Sequence, residues 1–215
     1  MKFQNCEAVI FDLDGTLYNK KRIALYMMLK LRRNISLLNN TNKVRKELKG
    51  IDFSNSREFY HNFFESIALK SSKSEDFIKK WYLEFFYPGF LDILGKKYKT
   101  HANMNSFLIE LKNKMPIAIL SDYAFIKERL NVLEISDDVF SVIASSEEYG
   151  VLKPSARPLL QIAMEMGIPA DKILVVGDRV DTDGKAAELA GMMFYHINEI
   201  NCWSDFTREM LEFIK

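Results

Sequence analysis

The chain is poor in several things. Among its 215 residues there are two cysteines, Cys6 and Cys202, at no metal-ligating or redox spacing. They read as reduced, buried thiols of a cytosolic protein, not as a disulfide framework. Histidine is also scarce: His61, His101 and His196 are scattered and form no ligand pair, so each reads as a surface or core-edge residue. No apolar run reaches spanning length and none opens the chain as a secretion signal, so neither membrane insertion nor export is indicated. A strong net charge is missing too. At +1 the chain carries no signature of a nucleic-acid or membrane-surface partner. Internal repeats and low-complexity linkers are absent.

Apolar and aromatic residues make up 48% of the sequence, enough for a packed globular core. The length suits one domain carrying a sizeable insertion. Charge is unevenly spread. Between positions 18 and 87 there are 15 Lys and Arg against 7 Asp and Glu, and the remainder is acidic. A basic segment is set into an acidic body, as solvated helix faces or as a lid that attracts anionic substrates.

The stretch Ala8-Val9-Ile10-Phe11-Asp12-Leu13-Asp14-Gly15-Thr16-Leu17-Tyr18 organises the rest. Four apolar residues run without a break into two carboxylates, which reads as a strand buried on both faces and closed by a turn at Gly15. Asp12 and Asp14 are two apart, so in extended chain they point to the same side. Two such carboxylates repel unless a cation lies between them or one keeps its proton. Alone, the pair could be an acidic turn closing a strand. Its position at the C-terminal end of a strand favours a binding site.

Beyond Tyr18 the strand character stops. The spacing of Ile23, Leu25, Tyr26, Met28, Leu29 and Leu31 predicts a helix. Thr41 to Lys49 predicts a second, ended by Gly50. Ser56 should cap a third, with Phe59, Tyr60, Phe63, Phe64 and Ile67 on one stripe. Ser74 should open a fourth that stops at Pro88-Gly89. Residues 19–90 therefore read as an α-helical cap insertion, and 1–18 with 91–215 as an α/β catalytic core. From Asn103 on, strands at Pro116–Leu120, Val139–Ala144, Lys172–Val176 and Met192–Ile197 alternate with helices. That alternation implies a doubly wound, Rossmann-like parallel sheet with helices on both faces.

Polar groups recur at the strand ends. Ser121 follows Ile119-Leu120, Lys153 lies in the loop before Pro154, and Asp178 follows Val176-Gly177, with Asp181 and Asp183 beyond. In a parallel sheet these ends share one edge. Several carboxylates around one point suit a hard cation such as Mg²⁺. A hydroxyl and an ammonium suit phosphoryl oxygens, so the set reads as a phosphoryl-transfer kit.

The four motifs Asp12-Leu13-Asp14-Gly15-Thr16, Ile119-Leu120-Ser121, Lys153-Pro154 and Val176-Gly177-Asp178 with Asp183 occur in order on the expected elements. In these the chain resembles the haloacid dehalogenase-like hydrolase superfamily, in its helical-cap branch of phosphoglycolate phosphatases and β-phosphoglucomutases. The resemblance implies a Mg²⁺-dependent phosphatase of a small phosphorylated metabolite. Asp12 would be the nucleophile that forms an aspartyl-phosphate, and Asp14 the general acid and then base. Asp12, the Asp14 carbonyl and Asp178 would hold Mg²⁺, supported by Asp183, with Ser121 and Lys153 on the phosphoryl group. Gly15 and Thr16 would shape the loop. Asp122 departs from the Asn or Gly common in the superfamily, and a carboxylate there must turn away or bond a cation or backbone amide.

Two alternatives share these residues. A phosphomutase of the same fold would return the phosphoryl group to a second hydroxyl. A phospho-accepting regulatory protein would hold it with little turnover, although a receiver has no use for a cap. Lys20, Lys21 and Arg22, nearest the acidic loop, are the candidates for contacts from the cap's basic face to the substrate.

Overall fold

Five short apolar runs become the five strands of one parallel sheet in the computed structural model, which describes residues 3–198 and 202–215. They are β1 (Ala8–Phe11), β2 (Ile117–Ser121), β3 (Val142–Ser145), β4 (Ile173–Gly177) and β5 (Met193–His196), in the order β3-β2-β1-β4-β5. The first strand is central because all four of its residues are apolar and buried, as a strand covered on both faces requires.

Alternation along the strands divides the core in two. Val9, Phe11, Ile117, Ile119, Leu174 and Val176 pack on one face. Ala8, Ile10, Ala118, Leu120, Ile173 and Val175 pack on the other. The second face is covered by α8 (Arg157–Met166) and α9 (Lys185–Ala190), through Leu159, Ile162, Ala163, Ala186 and Ala187. The first is covered by α6 (Met104–Lys112), α7 (Ile126–Val132) and α10 (Trp203–Phe213), whose Phe206 meets Phe11 and Phe107 edge to face. Helices on both faces of a parallel sheet make the doubly wound α/β architecture.

Between β1 and α6 the described chain forms five α-helices: α1 (Ile23–Lys30), α2 (Ile35–Glu47), α3 (Ser56–Ser71), α4 (Glu75–Trp81) and α5 (Tyr87–Lys97). Several expected details shift. In α1 the i, i+4 row Ile23, Met27 and Leu31 turns inward, while Leu25, Met28 and Leu29 are exposed. A two-turn helix against one neighbour can bury only one such row. The second helix starts earlier, at Ile35. Asn55 rather than Ser56 caps α3, accepting the Glu58 N–H at 3.0 Å. Ser74 caps α4 as expected.

The stop expected at Pro88-Gly89 does not occur. A widened turn, Tyr82–Phe86, carries α4 into α5 without a break, and Pro88 follows directly on that turn, where the regular i→i−4 bonding is already interrupted. Helix α5 thus crosses residue 90 without interruption, and its Gly95 lies against Val132 of α7. No helix among the described residues is long and apolar enough to cross a membrane.

Candidate active site

The register sets the depth of each strand end. Phe11 is level with Ile119 on one side and Val176 on the other. Asp12 therefore leaves the sheet beside Leu120 and Gly177, and its N–H still donates to the Val176 carbonyl at 2.9 Å. Ser121 and Asp178 stand one step further out on the flanking strands. Residues separated by more than a hundred positions meet because three parallel strands end together.

Asp12, Asp178 and Asp183 each present a carboxylate oxygen within 4.8 Å of the others. The Lys153 ammonium donates to Asp12 Oδ1 at 2.6 Å and to Asp183 Oδ1 at 2.5 Å. Asp12, Lys153 and Asp183 are all buried. Burial pushes the Asp12 carboxyl up to about 7, against the pull of Lys153 and with the repulsion of Asp183. Burial opposes the charge on Lys153 as well, but Asp12 and Asp183 together raise its pKa well above the usual lysine range. Thr16 Oγ1 donates to Asp12 Oδ2 at 3.1 Å, tying the nucleophile candidate to its own loop.

Two glycines make this convergence possible. Gly15 has φ of +98°, and a Cβ there would lie 2.3 Å from Asp178 Oδ2. A Cβ on Gly177 would lie 2.5 Å from Asp183 Cβ, so the widened turn Val180–Gly184 can fold Asp183 back over the strand end only past a glycine. Gly177→Ala is expected to cost about 1–3 kcal/mol by overpacking and to displace Asp183. The urea midpoint and kcat should fall together; an unchanged pair would show that the turn relaxes freely.

Asp14 sits apart from that cluster. Its Oδ1 accepts from the Tyr18 hydroxyl at 2.5 Å, and its Oδ2 from Ser121 Oγ at 3.0 Å and from the Arg129 guanidinium. Arg129 is wholly buried and also donates to Ser121 Oγ and the Tyr123 carbonyl. Burial would raise the Asp14 carboxyl, but Arg129, Tyr18 and Ser121 hold it below the ordinary carboxylate range.

Asp122, the departure from the superfamily pattern, turns away: its Oδ1 accepts the Lys153 backbone N–H at 3.0 Å. It fixes the lysine loop instead of repelling a ligand. Asp181 is exposed and pairs with Arg179, outside the cluster. His196, read from sequence as unremarkable, lies beside the site, with Nε2 3.0 Å from the Asp178 carbonyl.

Arg129, Tyr18 and Arg45 were not singled out by sequence reasoning. Arg45 of α2 reaches the Asp122 carbonyl at 2.7 Å and lies 3.8 Å over the Tyr123 ring. Its other arm pairs with the buried Glu147, which also accepts from Tyr60 at 2.7 Å and Tyr87 at 3.1 Å. Only Tyr18, four residues after Asp14, had a local signal; the arginines looked like any basic residue on an amphipathic helix. An open cleft of about 1200 Å³ lies beside these tyrosines and away from the Asp12, Asp178 and Asp183 carboxylates, lined by Tyr60, Phe64, Tyr82, Leu83, Tyr87 and Phe125 among others.

A doubly wound sheet whose central strand ends in a carboxylate, flanked by two more and a buried lysine, has the form of the α/β proteins that bind ligands at the carboxyl ends of their strands. The chain belongs to the haloacid dehalogenase-like hydrolases, whose family model matches residues 9–197. It is 26% identical to the glyceraldehyde 3-phosphate phosphatase of Methanocaldococcus jannaschii, over 97% of each chain. Its fold is shared with the 2-haloacid dehalogenase of Pseudomonas syringae pv. Tomato (TM-score 0.64, 21% identity, 90% of this chain and 86% of that one). It is shared also with a β-phosphoglucomutase of Clostridium difficile (TM-score 0.62, 22% identity, 93% and 88%).

Proposed function

We propose that this hydrolase is a Mg²⁺-dependent phosphatase of a small phosphorylated metabolite, working through an aspartyl-phosphate on Asp12. The observation that carries the reading is the cluster of Asp12, Asp178 and Asp183 with Lys153 donating to two of them. The donor set is all oxygen, as a hard divalent cation prefers, and Mg²⁺ takes few protein carboxylates plus water and substrate phosphate. The cluster also already accepts a cationic group: the Lys20 ammonium lies 2.6 Å from Asp178 Oδ2 and 2.8 Å from the Asp14 carbonyl. Asp12, Asp178 and the Asp14 carbonyl would hold the ion, with Asp183 in support. When bound, Mg²⁺ would neutralise charge on the phosphoryl oxygens.

The side chains then divide the work. Asp12 attacks phosphorus in line, and the P–O bond to the leaving alcohol breaks. Asp14 gives that alcohol its proton and afterwards takes one from the water that attacks the acyl phosphate, which returns Asp12 and releases phosphate. The contacts from Arg129, Tyr18 and Ser121 favour the ionised Asp14 that the second step needs. For the first step those contacts must loosen as substrate enters. Ser121 and Lys153 bind the phosphoryl oxygens. Residues 19–90 act as a cap that shuts out water.

The name of the Methanocaldococcus relative places glyceraldehyde 3-phosphate first among substrates to try. The test is hydrolysis of p-nitrophenyl phosphate and a phosphometabolite panel, with Mg²⁺ and with excess EDTA. Release of inorganic phosphate that EDTA abolishes and Mg²⁺ restores is expected. EDTA-resistant turnover would remove the metal from the reading. Transfer to a second hydroxyl without free phosphate would replace hydrolysis by mutase chemistry, and a long-lived acyl phosphate would point to a regulator.

A further inference from the structure

Lys20 lies in the loop between the acidic turn and α1, next to the exposed Lys21 and Arg22. Its side chain does not follow theirs into solvent. It is about one-third exposed (34%) and folds back over the turn. That path runs close past Gly15, where a Cβ would lie 2.9 Å from Lys20 Cε. The ammonium ends between two oxygens, Asp14 O at 2.8 Å and Asp178 Oδ2 at 2.6 Å.

Those are two of the oxygens assigned above to the divalent ion, and the inference rests on that assignment. Mg²⁺ would need them at about 2.0–2.1 Å. An ammonium in hydrogen-bond contact with both fills the same space, so the two cations exclude each other. The second lysine of the cluster is not the one to leave: Lys153 is almost fully buried (6% exposed) and serves two carboxylates. Lys20 comes from an exposed segment and has room to swing out.

We infer that Lys20 is an internal competitor for the metal. It occupies the cation's place when the ion is absent and must be expelled when the ion enters. The metal-free cluster is thereby kept from holding three carboxylates against a single lysine. The cost appears in the metal affinity, which is weaker than the carboxylates alone would give.

The test uses the full-length protein and MgCl₂ alone, by isothermal titration calorimetry, on wild type, Lys20→Gln and Lys21→Gln. The last variant removes the same charge one residue away from a side chain outside the cluster. Lys20→Gln should bind Mg²⁺ tighter by up to about fivefold, as loss of a competing, partly exposed ion pair implies, and Lys21→Gln should match wild type. In EDTA, Lys20→Gln should melt below wild type, and its Mg²⁺-induced rise in Tm should be the larger. Equal Mg²⁺ affinity in wild type and Lys20→Gln overturns the inference and leaves the metal reading intact. Equal tightening in Lys21→Gln overturns it too, reducing the effect to general charge. If no variant binds Mg²⁺, the metal reading fails and the inference with it.

Discussion

Asp12→Asn is expected to lower kcat by on the order of 10³-fold or more while leaving the protein folded, the signature of removing a nucleophile that works with its neighbours as a unit. An amide oxygen keeps the shape of the carboxylate but cannot attack phosphorus and leave a stable acyl phosphate. Stability should hold for a separate reason. Lys153 retains its partner Asp183, the amide oxygen can still accept from Lys153 at the Oδ1 position, and the amide NH₂ at the Oδ2 position can donate to Thr16 Oγ1, whose own hydroxyl loses its acceptor there. The substitution also removes a charge that burial disfavours. Steady-state kinetics and a urea titration on the same preparation separate the two effects. Full activity in Asp12→Asn would exclude covalent catalysis at this residue.

Arg45→Ala should be the most damaging change to stability. The guanidinium and Glu147 form an ion pair with side chains 6% and 0% exposed, far from bulk water. Removing one member leaves the other charged and buried, which costs about 3–5 kcal/mol. That is a large share of the roughly 5–15 kcal/mol by which such proteins are stable. Here the loss reaches further. Glu147 also collects the hydroxyls of Tyr60 from α3, Tyr82 and Tyr87, while Arg45 holds the Asp122 carbonyl next to Ser121. Helices inserted after β1 are thus tied to the loops after β2 and β3 through one buried ion pair.

Arg45→Met with Glu147→Gln should cost less than the sum of the single changes, because neither charge is then stranded. Additive losses in a urea double-mutant cycle would mean that the pair is not coupled. kcat/KM should fall with Arg45→Ala at temperatures where the variant is still folded, since the carbonyl of Asp122 loses its anchor.

What could be read in the one-dimensional order of residues is whatever depends on neighbours along the chain. Ala8–Phe11, Ile117–Leu120 and Ile173–Val176 are continuous apolar runs, and only a strand covered on both faces uses such runs so cheaply. Their strict order with helices between them implied parallel pairing, and parallel pairing implied that Asp12, Ser121 and Asp178 share an edge. Boundaries were less legible. Pro88 looked like a terminator because a proline lacks an N–H, yet it follows a widened turn in which the regular helical bonding is already interrupted, and the helix runs on. In α1 both sides are apolar, and only the neighbour it packs on decided which side is buried.

The tertiary structure alone decided the partners of the charges. Arg129 reaches Asp14 across 115 positions and Arg45 reaches Glu147 across 102. Arginines and lysines at helix spacing look alike whether they face water or a carboxylate, because the local pattern records the face and not what lies opposite it. Asp122 turned toward the Lys153 amide, and Lys20 turned inward while Lys21 did not, for reasons set by loops brought together by the sheet. The strand order determined where an acidic site would form; which charges balance it depended on contacts that exist only after the chain has closed on itself.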